Sequence, residues 1–236
     1  MIREAIVLAG GLGTRLRSVV ADRPKCMAEV AGRPFIAYLT EWLRSEGIDR
    51  IVFAVGYMRE CVEQWAETER DGILRGIETA WSVETEPLGT GGAVKQASEI
   101  CRGRRVAVIN GDTMFHASLQ QLGRESEGSG RPVTIALKEM TDFDRYGTVN
   151  FDSLTGAVTS FNEKKPCERG LINGGIYVID RDSSLFDGLP TKFSFETSVL
   201  EPQAAAGNVG GVRSDGYFID IGIPEDFAKA QEDFRK

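Results

Sequence analysis

A chain of 236 residues with a formal net charge of −7 and a pI near 5.0 can bury one substantial α/β core without disulfide staples. Its acidic balance argues against nucleic acid or an anionic membrane as main partner. The four cysteines, Cys26, Cys61, Cys101 and Cys167, form no C-x-x-C pair and read as reduced thiols, and the single histidine, His116, leaves too little for a zinc site of the H-E-x-x-H type and a Ser-His-Asp triad resting on one residue.

The first apolar run, Ala5 to Leu8, starts within a few residues of Met1, and no run reaches membrane-spanning length, so the expectation is a cytoplasmic protein with no signal peptide and no membrane partner. That run passes into Ala9-Gly10-Gly11-Leu12-Gly13-Thr14-Arg15-Leu16, with Pro24 and Lys25 close behind. A buried strand that gives way to glycines delivers bare backbone N–H groups to phosphate oxygens, and Arg15 and Lys25 add fixed positive charge. The segment lacks the third glycine of the dinucleotide fingerprint and contains no G-x-x-x-x-G-K-[ST]. Read alone, it is either a triphosphate site or a tight strand-to-helix turn with a solvated arginine.

The period of Phe35, Ile36, Leu39, Trp42 and Leu43 predicts a core helix over 34–46, with Pro34 in its first turn and Gly47 as its stop. Strands are expected over 51–55 and 81–86, with a polar-faced helix over 60–69 between them. Glu84 to Ala93 places Pro87 and several glycines before a helix running to about Cys101, which would expose N–H groups and a helix N-terminus, Gly89 and Thr90 included, at the sheet's carboxyl edge. A further buried strand, 105–110, ends at Asn110-Gly111-Asp112. Asp112 is either a helix cap or an oxygen ligand for a hard cation such as Mg²⁺.

A helix near 119–126 and a loop over 125–132 separate this half from an antiparallel addition to the sheet, with strands over 133–139, 147–151, 157–163 and 171–179. Glu163-Lys164 alone would be a solvated pair at a strand end, and Glu196 could cap its own helix. Asp220 lies in the apolar run Tyr217 to Ile223, where an acid is costly to bury unless paired, and a metal is a natural partner. A closing helix over 225–234 should turn Phe227, Ala228 and Phe234 inward. Alternation of strand and helix predicts an α/β fold with a mixed, mostly parallel central sheet and helices on both faces.

The opening, L-A-G-G-x-G-T-R-L followed by Pro24-Lys25, resembles the signature of the sugar-1-phosphate nucleotidyltransferases, and the similarity runs to the last residues. Further family-like words are Glu84 to Gly92, Gly111-Asp112, Tyr146-Gly147, Phe161 to Pro166, Ile172 to Tyr177 and Asp220-Ile221-Gly222-Ile223-Pro224. Cys26, where many members have a second proline, is a departure that touches only local stiffness. The resemblance implies a single Rossmann-like, GT-A-like domain over 1–236, with a nucleotide half to about 130 and a sugar-phosphate half beyond. It implies that Leu8, Ala9, Gly10, Gly11, Gly13, Thr14, Arg15, Lys25, Glu84, Gly89 and Thr90 bind the nucleotide. Gly147, Glu163, Lys164, Asn173 and Glu196 would bind the sugar phosphate, and Asp112 and Asp220 would hold Mg²⁺.

The implied reaction needs no general base, because a sugar 1-phosphate oxygen is already an anion; catalysis reduces to alignment and charge neutralisation by Arg15, Lys25, Asp112 and Lys164. The words Gly170 to Gly175, Lys192 to Glu196 and Asp215 to Asp226 are most similar to the branch that uses D-glycero-α-D-manno-heptose 1-phosphate. Guanine is expected as the base. It offers adjacent N1–H and 2-amino donors that one carboxylate accepts together, whereas uracil would turn carbonyls toward that carboxylate. Glu84 and Glu86 lie two apart on the predicted strand, so their side chains share a face, and Glu84 is the positional match. GTP and a sugar 1-phosphate are thus the expected substrates. Transfer to mannose 1-phosphate, or from UTP or dTTP, and a catalytically silent nucleotide-sugar-binding subunit are the rivals.

Overall fold

Successive residues of the first strand face opposite ways, and this alternation organises the molecule: Ala5 and Val7 belong to one buried cluster and Ile6 to another. The computed structural model describes residues 1–11 and 22–235. In chain order the described elements are β1 (Glu4–Leu8), the short pair β2 (Glu29–Val30) and β3 (Arg33–Pro34), α1 (Phe35–Ser45), β4 (Arg50–Val55), α2 (Arg59–Thr68), β5 (Glu78–Val83) and α3 (Gly89–Ile100). Then follow β6 (Arg105–Asn110), β7 (Thr113–Phe115), α4 (Leu119–Ser129), β8 (Val133–Phe143), β9 (Gly147–Asp152), β10 (Ala157–Lys164) and β11 (Cys167–Asp180). A π-helical turn, Glu196–Leu200, runs into α5 (Glu201–Ala205), and β12 (Val209–Ser214), β13 (Phe218–Asp220) and α6 (Pro224–Asp233) close the chain.

A nine-stranded sheet has the order β5-β4-β1-β6-β11-β8-β12-β10-β9. The first four strands in that order are mutually parallel, and β11 joins β6 in the antiparallel sense. The second half is antiparallel as expected, except that β12 returns to lie parallel to β8. One face carries α1, α2 and α4 through Phe35, Leu39, Trp65 and Leu122, and the other carries α3 and the π-helical segment through Val94, Ala97, Val199 and Leu200. Parallel strands buried on both faces explain why β1, β4 and β6 read as unbroken apolar runs. Among the described residues, no helix is long and apolar enough to cross a membrane.

Four boundaries differ from the sequence reading. The third strand is Glu78–Val83 rather than 81–86, so Glu84 and Glu86 lie beyond it; its register is set by parallel pairing with β4 and by Trp81 stacked on Phe53 at 5.2 Å. The segment 125–132 is not all loop, because α4 continues to Ser129 and stops where Gly130 adopts φ of 67°. Pro34 precedes α1 at its cap instead of lying within its first turn. In α6 the buried residue is Ala230 rather than Ala228, which is exposed, while Phe227 and Phe234 do pack on the core.

At the end of the sheet away from the glycine turn, Glu4 and Arg50 are register partners and both are buried. The Arg50 guanidinium donates to Glu4 and, at 3.1 Å, to Glu78, while the second Glu4 oxygen accepts from the backbone N–H groups of Arg102 and Gly103. Removing one member of a buried pair leaves the other charge uncompensated. Arg50→Met should therefore cost about 3 kcal/mol of unfolding free energy, measured by urea denaturation, and a loss under roughly 1 kcal/mol, the scale of an exposed pair, would show the pair to be solvated.

Candidate active site

The glycine turn leaves β1 at the carboxyl edge of the parallel strands, where ligands collect in open α/β sheets. The Ala9 N–H donates to the Ala54 carbonyl at 2.8 Å, which carries the chain over β4 before Gly10 and Gly11. A side chain at Gly10 would place its Cβ 2.6 Å from Glu84 Oε1 and 3.1 Å from the Gly56 nitrogen, so it would displace the Glu84 carboxylate. The turn forms one wall of a cavity of about 790 Å³, lined also by Leu8, Lys25, Glu84, Gly89, Thr90, Asn110 and Asp112. Of the expected nucleotide residues, Leu8, Ala9, Gly10, Gly11, Lys25, Glu84, Gly89 and Thr90 converge on this cavity. Gly13, Thr14 and Arg15 lie outside the described residues.

Asp112 and Asp220 come from distant parts of the chain and are brought together by a small ladder. Strands β7 and β13 pair antiparallel, with Asp220 opposite Thr113 and Phe218 opposite Phe115, and the Ile221 N–H donates to the Asp112 carbonyl at 2.9 Å. The Gly111 N–H donates to the Leu8 carbonyl at 3.0 Å, and a Cβ there would meet the same oxygen at 2.4 Å, so the aspartate turn is seated directly on β1. Asp112 caps no helix, since a turn leads straight into β7.

Lys25, in a 3₁₀ turn over Lys25–Met27, brings its Nζ to 3.2 Å from Asp112 Oδ2. Asp220 Oδ1 accepts from the Gly222 N–H at 2.7 Å. Burial first, and the Asp112 charge second, push the Asp220 carboxyl up to about 6. A buried carboxyl raised by its neighbour's negative charge calls for a cation beyond the single ammonium of Lys25. An aspartate pair of which Asp112 lines the cavity, with Asp220 buried behind it, suits a hard ion that keeps several waters and takes phosphate oxygens, the donor set of Mg²⁺.

Two further residues belong to this neighbourhood. Tyr146 packs edge-on against Phe218 with ring centroids 5.9 Å apart, and burial together with the Asp220 charge pushes its phenol above the ordinary range. Asn110 lines the cavity and sits against Gly175, whose φ is 73° and whose added Cβ would meet Asn110 Nδ2 at 2.8 Å. The signals were an aromatic immediately before Gly147 and a polar residue closing a buried strand.

The wall around Glu84 corrects two expectations. Glu84 and Glu86 share no strand face: Glu84 is half-buried, its Oε2 accepts the Leu88 N–H at 3.0 Å, and burial raises its pKa, while Glu86 is exposed. The N-terminus of α3 is also not bare, because the Gly91 and Gly92 N–H groups donate to the Phe193 carbonyl at 3.0 and 3.4 Å. Glycines are required at this crossing for a different reason than phosphate approach: Gly89 has φ of 72°, and a Cβ there would meet the Phe193 carbonyl oxygen at 2.5 Å.

The five expected sugar-phosphate residues do not line this cavity. Gly147 and Lys164 are register partners at the β9–β10 edge, with Glu163 and Lys164 exposed, and among the described residues Lys164 has no carboxylate partner. Asn173 and Glu196 gather instead around Tyr177. The Asn173 Nδ2 donates to the Tyr177 hydroxyl at 2.9 Å, and burial and the Glu196 charge raise that phenol's pKa. A register shift in β11 falls between Asn173, paired with Leu137, and Tyr177, paired with Ile135, an irregularity of the kind found beside functional sites.

With the glycine turn, the Lys25 ammonium and Asp112 on one cavity, and Asp220 held beside Asp112 by the small ladder, the fold and site define a nucleotidyltransferase. The Nucleotidyl transferase family model matches residues 4–236, and the chain belongs to that family. It is 41% identical over 232 residues to the D-glycero-alpha-D-manno-heptose 1-phosphate guanylyltransferase of Aneurinibacillus thermoaerophilus, covering 98% of each chain. It is 42% identical to the enzyme of the same name from Campylobacter jejuni, covering 95% of this chain and 96% of that one. The crystal structure of HddC from Yersinia pseudotuberculosis complexed with GMP-PN superposes with a TM-score of 0.87 at 35% identity, over 99% of this chain and all of that one.

The raised Asp220 pKa has a sign for stability. Its folded value, about 6 against the ordinary 3.8, means that the folded state holds this proton more tightly. Stability is therefore fully retained below about pH 4 and lost as pH rises toward 6, by on the order of 1–3 kcal/mol. In chelator, Asp220→Asn should unfold at a higher temperature than wild type at pH 7.5 and at the same temperature near pH 4, and excess Mg²⁺ should raise the wild-type midpoint alone. A variant less stable than wild type at pH 7.5 in chelator would contradict the crowding of charge at this site.

Proposed function

We propose that this enzyme transfers GMP from GTP to D-glycero-α-D-manno-heptose 1-phosphate, giving GDP-heptose and pyrophosphate, with residues up to about 130 binding the donor and the rest binding the acceptor. The observation that carries the chemistry is the convergence of Lys25, Asp112 and Asp220 at one side of a cavity whose wall holds Glu84. The substrates follow the two relatives above, which this chain matches almost end to end. The mannose-1-phosphate guanylyltransferases of Drosophila pseudoobscura and Mycobacterium tuberculosis are 32% and 31% identical, and the chain spans only 60% and 64% of their length. That favours heptose over mannose.

In this reading Gly10 and Gly11 let backbone N–H groups approach the triphosphate, and Lys25 and Arg15 balance the charge gathering on departing pyrophosphate. Mg²⁺ held by Asp112 and Asp220 would supply Lewis-acid polarisation and charge neutralisation at the α-phosphate. Lys164 places the phosphate of the acceptor, whose anionic oxygen attacks in line without a base. Gly147, Glu163, Asn173 and Glu196 face the sugar. Glu84 accepts from the guanine N1–H and 2-amino groups, and these donors offset the burial that raises its pKa. The enzyme acts in the cytoplasm.

A pyrophosphate-release assay over GTP, UTP, dTTP and several sugar 1-phosphates should give turnover with GTP and heptose 1-phosphate above every other pair; preference for UTP or for mannose 1-phosphate would overturn the corresponding half. Glu84→Gln should reduce discrimination for GTP over UTP by about 1–3 kcal/mol in kcat/KM, the scale of one unmatched charged hydrogen bond. Lys164→Met should raise KM for the sugar phosphate by about tenfold, as loss of a charge-assisted contact does, and leave KM for GTP nearly unchanged. Equal damage to both substrates would remove Lys164 from the acceptor side.

A further inference from the structure

The nucleotide cavity and the cluster around Tyr177 are separate in sequence and in lining, yet one crossing of backbone joins them. The Phe193 N–H donates to the Leu88 carbonyl at 3.0 Å, and the Phe193 carbonyl accepts from Gly91 and Gly92. Immediately beyond, Thr90 Oγ1 accepts from the Phe195 N–H at 2.9 Å. Gly91 leaves the space in which the Phe193 ring is seated, since a Cβ there would lie 2.2 Å from that ring. Thr90 therefore has the cavity on one side and residue 195 on the other.

From Phe195 the contact continues without a gap. Its ring stands edge-on to Tyr177 with centroids 5.2 Å apart, Tyr177 accepts from Asn173, and Glu196 opens the π-helical turn that follows. Phe195 and Tyr177 are both buried, so this is packed interior that shifts as a unit rather than deforming gradually. A π-helical turn inside a longer helical run is a common device for aiming one side chain at a functional site.

We propose that Thr90 is a positioning residue for the acceptor: its hydroxyl oxygen clasps the Phe195 amide, so that the donor-side loop and the Asn173–Tyr177–Glu196 cluster are held in one register. The proposal rests on the acceptor side assigned above, and it gives the Thr90 hydroxyl a role added to the residue's place in the cavity wall. A donor seated against Thr90 would then tighten the acceptor cluster before the sugar phosphate arrives.

The test compares wild type with Thr90→Val, which keeps the shape and removes the acceptor oxygen, and with Thr90→Ser, which restores it. Steady-state kinetics with GTP and heptose 1-phosphate should show KM for the sugar phosphate raised by about tenfold in T90V, the scale of one lost hydrogen bond, a larger change than in the Kd for GTP alone, with T90S close to wild type in both. Amide hydrogen exchange should show the Phe195 amide less protected in T90V than in wild type or T90S, and added GTP should increase protection over 195–200 in wild type but not in T90V. A T90V variant that loses GTP affinity as much as sugar-phosphate affinity, one with unchanged sugar-phosphate KM, or a T90S variant that fails to rescue overturns the clasp while leaving the function standing. A wild type that releases no pyrophosphate with any sugar phosphate overturns the function and the clasp together.

Discussion

Two carboxylates held close in a half-buried site repel each other, and the fold around them is built to bear that cost. The short β7–β13 ladder fixes the backbone of both aspartates, and the backbone of Asp112 is tied to Ile221. Gly111 then seats the pair on β1 so tightly that no side chain fits beneath it. Lys25 supplies one compensating charge at 3.2 Å from Asp112. The remaining imbalance shows as an Asp220 carboxyl displaced upward by burial and by its neighbour, and a divalent cation is the partner that would relieve it.

The larger sheet explains why this pair stands where it does. Three parallel strands, β4, β1 and β6, end at one edge, and the segments that leave them supply the cavity walls: the glycine turn after β1, Gly56 after β4, and Asn110 to Asp112 at the end of β6. The antiparallel strands extend the same sheet through β11, which pairs with β6 and carries Asn173 and Tyr177. The proposed donor and acceptor sides thus share one sheet, and their relative placement depends on loops that cross between them. Reaction of two polyanions by alignment and neutralisation requires little more than this.

Much of this was legible in the residues because each local signal had one dominant cause. The apolar runs of β1, β4 and β6 could only be buried strands, the spacing of Phe35 to Leu43 could only be a core helix, and an aspartate closing a buried strand had to sit at the ligand edge. The pairing of Asp112 with Asp220 was readable only through family resemblance, since a three-residue ladder between distant segments has no periodicity of its own. Strand register is likewise non-local, and so the shared face expected of Glu84 and Glu86 failed once pairing with β4 ended the strand at Val83. The helix N-terminus expected to be bare at the start of α3 is so only in part, because the Gly91 and Gly92 N–H groups are occupied by Phe193, a residue from the other half of the chain.

The account stands most directly on Asp112 and Asp220 forming one cation site at the donor cavity. Mn²⁺ binding followed by electron paramagnetic resonance, with a non-hydrolysable GTP analogue present, measures that site without turnover. The account predicts one bound ion per chain in wild type and an affinity at least about tenfold weaker in both Asp112→Asn and Asp220→Asn, since each removes one charged oxygen ligand. Wild-type affinity retained in either variant would contradict it.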